Sequence, residues 1–269
     1  MKREFAVLGM IICLGAGLGI GWFIPGLFTP AAQPSLLDQI ESRGYFLVGT
    51  SADYPPFENK TYPEGEIIGF DINISLLIAN EIGVPLQMVD MDFDSLIGAC
   101  GAGQIDMIAA AMTYNPTRAQ ELAASVTYFT VSQIVVVRND SVAFPNPISN
   151  LDDLSGYEVG CQSGTVMQTE LEGVSGVTVA PYARADLMMQ DLVNGLIDAV
   201  YIDGPILDAS PDKEDLKIIY SSGEEPLALW TQLDEPELLY VINDVIFDAY
   251  QTGVYADLVN YWFGNVTTS

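Results

Sequence analysis

Arg118, in the stretch AMTYNPTR at residues 111–118, is one of five arginines in a chain with thirty-six acidic side chains. A guanidinium forks onto a carboxylate through two parallel hydrogen bonds, so Arg118 is a candidate for holding an anionic group. The alternative is a surface pair with Glu121, the commoner use of an arginine among so many acids. Asp203, at the end of DAVYID, is a candidate acceptor for a cation, or else a helix cap ahead of Pro205. Thr113 adds a hydroxyl that donates or accepts. Thr165, in CQSGTV, sits where a strand-to-helix turn presents N–H groups to a carboxylate. Histidine is absent, which removes the usual general base, the Ser-His and Cys-His dyads and most zinc sites. Cys100 and Cys161 are the only thiols after residue 34; they cannot make a metal cluster, and both are expected to be free. No metal and no cofactor are expected.

The elements around these residues alternate. YFLVGTS (45–51) reads as a strand. FDINISLLIANEIG places Phe70, Ile74, Leu77, Ile78 and Ile82 on one helical face, with Asp71 as a cap and Gly83 as the stop. LQMV gives a second strand, FDSLIGACGAG a short helix opened by Asp94, and IDMIAAA a third strand. The alternation recurs in YEVGCQSGT, VMQTELEG, VTVAPY, ADLMMQDLVNGLI and DAVYID. Two such series predict two doubly wound α/β lobes, with ligands at the carboxyl ends of the strands. AMTYNPTR and CQSGTV both fall there.

Residues 1–34 stand apart. Lys2 and Arg3 precede an uncharged apolar run of about two dozen residues that includes Cys13, and the polar TPAAQPS follows. The run is longer than a signal peptide's core of about 7–15 residues and matches the roughly 20 that span a bilayer. A retained anchor is preferred to a cleaved signal, with the rest of the chain outside the cytoplasmic membrane. Seven cations face thirty-five anions after residue 34, which disfavours nucleic acid and anionic lipid as partners. Four Asn-x-Ser/Thr triplets, at Asn59, Asn73, Asn139 and Asn265, permit glycosylation and arise often by chance.

Six ordered segments resemble one family: LVGTSADYPPFE, IIGFDINISLLIANEIGV, DFDSLIGACGAGQIDMIAAAMTYNPTR, LDDLSGYEVGCQSGT, LVNGLIDAVYID and QTGVYADLVNYWFG. Together they look like the extracytoplasmic solute-binding proteins of polar amino acid ABC transporters, of the type II periplasmic binding protein fold. The resemblance implies two lobes, residues 35–131 with 231–269 and residues 132–230. It also implies a hinge of two crossings near TVSQ and PLALW, a free amino acid ligand and delivery to a permease by a monomer.

A free α-amino acid carries a carboxylate and an ammonium on one carbon, which suits Arg118 facing Asp203. By resemblance Tyr54 and Phe93 flank the ligand side chain. Three positions depart from the family pattern or vary within it. Ala111 stands where Gly or Ser usually contacts the ligand, leaving only a backbone contact. Gln162 stands where some members carry a cation, and Ser51 where members that take basic ligands often have Asp. The expected ligand side chain is therefore neutral. A second class stays open, a dehydratase of cyclic carboxylic acids on the same fold, with Asp53 or Glu58 as its acid. A third is the ligand-sensing part of a signalling complex.

Overall fold

The computed structural model describes residues 34–60, 65–144 and 147–264. The apolar segment read as an anchor, with Cys13, lies outside them, as does the Asn265 triplet. Among the described residues no helix is long and apolar enough to cross a membrane.

The first lobe opens with α1 (Leu36–Arg43), capped by a Ser35–Asp38 box, and β1 (Phe46–Thr50). A small antiparallel sheet follows, made of β2 (Asp53–Tyr54), β3 (Glu58–Lys60) and β4 (Ile67–Ile68). Next come α2 (Phe70–Ile82), β5 (Leu86–Asp90), a 3-10 turn at Phe93–Ser95, α3 (Leu96–Gly101), β6 (Met107–Ile108) and β7 (Leu122–Ala124). Gly49 in β1 is required by packing, since a Cβ there would lie 2.3 Å from Ile105 Cδ1.

The second lobe holds β8 (Phe129–Arg138), β9 (Glu158–Gln162), α4 (Val166–Glu172), β10 (Thr178–Tyr182), α5 (Ala185–Asn194), β11 (Ala199–Asp203), α6 (Gly204–Ala209) and β12 (Leu216–Leu227). Helix α5 buries Ala185, Met188, Met189 and Leu192 at helical spacing. The chain then returns through β13 (Trp230–Gln232) to α7 (Pro236–Thr252) and α8 (Val254–Phe263) in the first lobe. Sheet orders are β5-β1-β6-β13-β7 and β10-β9-β11-β8-β12.

Both sheets are parallel at one side and antiparallel at the other, because the crossing strands β8, β12 and β13 run against their neighbours. The two crossings are bonded to each other. Ser125 N–H donates to Leu229 O at 2.8 Å, Tyr128 N–H to Leu227 O at 3.1 Å, and Leu229 N–H to Ser125 Oγ at 2.9 Å. An aromatic cluster of Phe57, Phe70, Phe129 and Phe263 packs beside them, with Phe129 and Phe263 stacked at 4.6 Å.

Several local readings need correction. IDMIAAA forms a strand only at Met107–Ile108, after which the chain turns toward the cleft. Asp94 does not cap its helix, which is entered through the 3-10 turn instead. Nor does Asp71 cap α2: the capping position is Gly69, and the Asp71 carboxylate points inward. It accepts hydrogen bonds from the Tyr128 hydroxyl and from Ala111 N–H, each at 2.8 Å. Gly83 ends α2 in the left-handed conformation, as expected.

Burial pushes the Asp71 carboxyl up to about 7, against the pull of the Ala111 and Tyr128 bonds. A folded value above the unfolded one, near 3.9, means that the folded state binds the proton more tightly. This contribution to stability is full below about pH 4 and is lost as pH rises through about 7. We therefore expect the melting temperature to fall between pH 5 and pH 8, and Asp71→Asn to flatten that fall. Thermal unfolding followed by circular dichroism tests this; equal slopes for the two proteins would refute it. Asp71→Ala, which strands two buried donors, should cost about 1–3 kcal/mol for each.

Candidate functional site

Arg118 begins a 3-10 turn, Arg118–Gln120. Asn115 Oδ1 accepts its N–H at 2.8 Å. The side chain is buried. Nη1 donates to Thr113 O at 2.7 Å and Nη2 to Gly164 O, in the other lobe, at 2.9 Å. The Phe93 ring lies 5.6 Å from the guanidinium carbon, close enough for a cation-π contact. Among the described residues Arg118 makes no ion pair, with Glu121 or any other acid. Burial lowers it to about 10, partly offset by the charge of Asp203, so it remains a cation at neutral pH.

Asp203 ends β11 and occupies the capping position of α6, yet its side chain makes no cap bond. Oδ2 instead accepts the Tyr54 hydroxyl, across the lobes, at 3.0 Å. Oδ1 is fully buried without a partner. Such an oxygen is costly unless something donates to it. Burial pushes the carboxyl up to about 7, while the Tyr54 bond and Arg118 pull it down.

Tyr54, Phe93, Ala111, Thr113, Arg118, Gln162, Thr165 and Asp203 surround one small cavity between the lobes. Ser51 is the one expected site residue that does not line it. Its hydroxyl donates to Asp53 Oδ1 at 2.9 Å, and the Gln162 amide nitrogen lies 3.4 Å from it. Ala110, Val166 and Met167 complete the wall; none carries a chemical signal in the sequence. A larger depression on α2 and α7, lined by Leu77, Asp244 and Phe247, holds acids but no cation.

Three polar roles differ from expectation. The Thr165 hydroxyl caps α4, accepting Gln168 N–H at 3.3 Å and donating to Gln162 O at 2.7 Å. The Thr165 N–H lies 3.4 Å from Gln162 O, and the Gly164 N–H donates to Gln168 Oε1 at 2.8 Å, so this turn spends these N–H groups internally. Ala111 adopts a left-handed backbone, φ 44°, and gives its N–H to Asp71 rather than to the cavity. A side chain there is strained by about 1–2 kcal/mol, a strain the Asp71 bond helps to hold.

Asp53 and Glu58 lie outside the lining. Glu58 is fully buried with both oxygens unpartnered, and burial, reinforced by Asp71, raises its carboxyl far above the usual range. Asp53 accepts Ala185 N–H at 2.6 Å, and burial raises it to about 6. Cys100 and Cys161 are both free and buried, each pushed up to about 12, which makes them unreactive.

The chain matches known proteins. A family model for bacterial extracellular solute-binding proteins, family 3, matches residues 46–265. The arginine-binding extracellular protein ArtP of Bacillus subtilis is 29% identical over 225 residues, covering 81% of this chain and 85% of that one. A crystal structure of the P235GK mutant of ArgBP from T. maritima superposes with a TM-score of 0.80 at 35% identity, covering 85% of this chain and 99% of the other. The ancestral amino acid-binding protein AncCDT-1, a precursor of cyclohexadienyl dehydratase, superposes at 0.77 with 30% identity, covering 85% and 100%. The two-lobed fold and the extent of these matches establish that the chain belongs to the family 3 bacterial extracellular solute-binding proteins.

Proposed function

We propose that this protein captures a free amino acid with a neutral side chain between its lobes and, on closing, presents it to an ABC transporter permease. Capture takes place outside the cytoplasmic membrane, with the protein acting as an anchored monomer. One observation carries the reading. The unpaired guanidinium of Arg118 and the unpartnered Oδ1 of Asp203 line the same small cavity, one suited to an α-carboxylate and the other to an α-ammonium. The zwitterion uses both charges, and no other charged side chain lines the cavity, which favours a neutral side chain.

Residues 35–131 with 231–269 form one moving lobe and 132–230 the other, turning about the bonded crossings. The dehydratase reading is weaker, because neither Asp53 nor Glu58 reaches the cavity. A cationic ligand is the second reading. The Asp53 carboxylate stands behind Gln162, whose contacts are all long, 3.4–3.5 Å, so a displaced amide would admit a guanidinium.

Calorimetry of ligand-stripped protein against the twenty amino acids separates these readings. Glutamine or another neutral amino acid should bind tightest, with arginine and glutamate weaker; an arginine optimum would favour the second reading. Arg118→Ala should weaken binding by about 2–5 kcal/mol, roughly 30- to 5,000-fold, and unchanged affinity would remove Arg118 from the site. No binding to any amino acid, together with prephenate turnover, would establish the dehydratase.

Proton release gives a further expectation. An ammonium beside Asp203 stabilises its ionised form, as Arg118 already does, so binding should release a proton wherever the unliganded carboxyl is protonated, below about pH 7. The apparent binding enthalpy should therefore depend on the ionisation enthalpy of the buffer at pH 6, and much less at pH 8.5. Equal enthalpies in two such buffers at pH 6 would show that no proton leaves Asp203 on binding.

A further inference from the structure

The lobes also meet at a place outside the cavity. Asp53, on β2, is 2% exposed and does not line the cavity. Its Oδ2 accepts the Ala185 N–H at 2.6 Å, and Ala185 is the first residue of α5 in the other lobe. Its Oδ1 accepts the Ser51 hydroxyl at 2.9 Å, and the Gln162 amide nitrogen stands 3.4 Å from both carboxylate oxygens. The Ala185 amide is one of the donors that a helix start leaves without an internal partner, and the helix dipole favours an anion there. With its carboxyl near 6, Asp53 is mostly ionised at neutral pH, the form that accepts most strongly. Charge on the two sides is complementary. Arg184, at the capping position of α5, pairs with Asp186 and feels the charges of both Asp53 and Asp90 on the first lobe.

We infer that Asp53 is a latch for the closed form: a positioning residue that ties α5 to β2 and steadies Gln162 at the cavity wall, slowing ligand release without touching the ligand. The inference rests on the reading that the lobes open and close on a ligand. Neither Asp53 nor Ala185 lines the cavity, so the bond does not depend on what the cavity holds. A contact made only in the closed state shifts the open–closed equilibrium, and the apparent affinity changes by the same factor. Ligand enters through the open form, so the effect falls on the rate of release rather than on association.

Two substitutions break the bond from opposite sides. Asp53→Ala removes the acceptor. Ala185→Pro removes the donor and adds a ring at a buried position; the backbone accepts it, since proline suits the first position of a helix and the residue before it, Arg184, is already extended at φ −124°, ψ 130°. The measurements are stopped-flow release of L-glutamine and of L-arginine, and hydrogen–deuterium exchange of the peptide at the start of α5 in ligand-stripped protein. Asp53→Ala and Ala185→Pro should each speed release about 10- to 150-fold, the worth of one hydrogen bond to a charged group, with association unchanged. Asp53→Asn, which keeps an acceptor oxygen, should fall between them and the parent. Asp53→Ala should also speed exchange at the start of α5 with no amino acid present. Parental release and exchange in both disruptive variants would overturn the latch. A loss confined to arginine would overturn it as well, by making Asp53 a ligand contact. Failure of the parent protein to bind any amino acid would instead defeat the functional reading, and faster exchange at the start of α5 in Asp53→Ala would still show the bond across the lobes.

Discussion

A guanidinium buried without a carboxylate partner is the most demanding group in this protein. Desolvating a charge costs several kcal/mol unless hydrogen bonds replace the lost water, and Arg118 is held only by the carbonyls of Thr113 and Gly164 and by the face of Phe93. In a chain so rich in acid, a surface partner would have been easy to supply. The surrounding elements instead keep Arg118 in the cleft. The 3-10 turn aims it inward, the Asn115 side chain fixes the start of that turn, and Gly164 brings a carbonyl from the opposite lobe. Gly164 can do so because it has no side chain. Its backbone is left-handed, φ 77°, and a Cβ would lie 2.8 Å from Asp94 Cβ. The closed cleft thus depends on a glycine where the lobes touch.

A second group of buried polar residues links this site to the hinge. The Tyr128 hydroxyl donates to Asp71, whose other bond holds Ala111 in its strained conformation at the cavity wall. The Tyr128 carbonyl accepts the hydroxyls of Tyr255 at 2.7 Å and Tyr250 at 3.1 Å, from α8 and α7. Tyr128 lies in the first crossing and is bonded to the second. One residue therefore joins the two crossings, the C-terminal helices and, through Asp71, a wall of the cavity. These buried bonds tie the first lobe's C-terminal helices to both crossings.

Much of the architecture was legible in the sequence because its strands and helices alternate with clear periodicity and with a glycine stop at Gly83. Arg118 was legible as a scarce cation in the loop after a strand, and Asp203 as an acid at a strand end. The long antiparallel ladder of β8 and β12 was not, since FTVSQIVVVR and LKIIYSSGEEPL lie far apart in sequence and their pairing is a tertiary choice. Asp71 was misread for a similar reason. An acid in the first turn of a helix usually serves the helix, and only the positions of Tyr128 and Ala111 in space give it an inward role. Ser51 was assigned to the cavity by resemblance, but its hydroxyl is engaged by Asp53 on β2 and lies near the Gln162 amide on β9, outside the lining.

The acid distribution separates into two populations with opposite physical roles. Most of the described carboxylates lie at the surface. Asp53, Glu58, Asp71 and Asp203 are buried, each is raised by desolvation, and Glu58 feels the charges of the other three. Four ionised carboxylates in this region would have only the cations of Arg118 and Arg184 to offset them. Glu58 has neither oxygen partnered, and burial raises its carboxyl well above the usual range. The closed cleft is therefore electrostatically incomplete at neutral pH: it carries partly protonated acids on one side and an unpaired cation on the other. A zwitterion supplies a negative group for the cation and a positive group for Asp203 without adding net charge. A simple anion would satisfy Arg118 and leave the acids facing more negative charge, and a simple cation would do the reverse. On the function proposed above, a net-neutral ligand carrying both charges would complete the cleft at the lowest electrostatic cost.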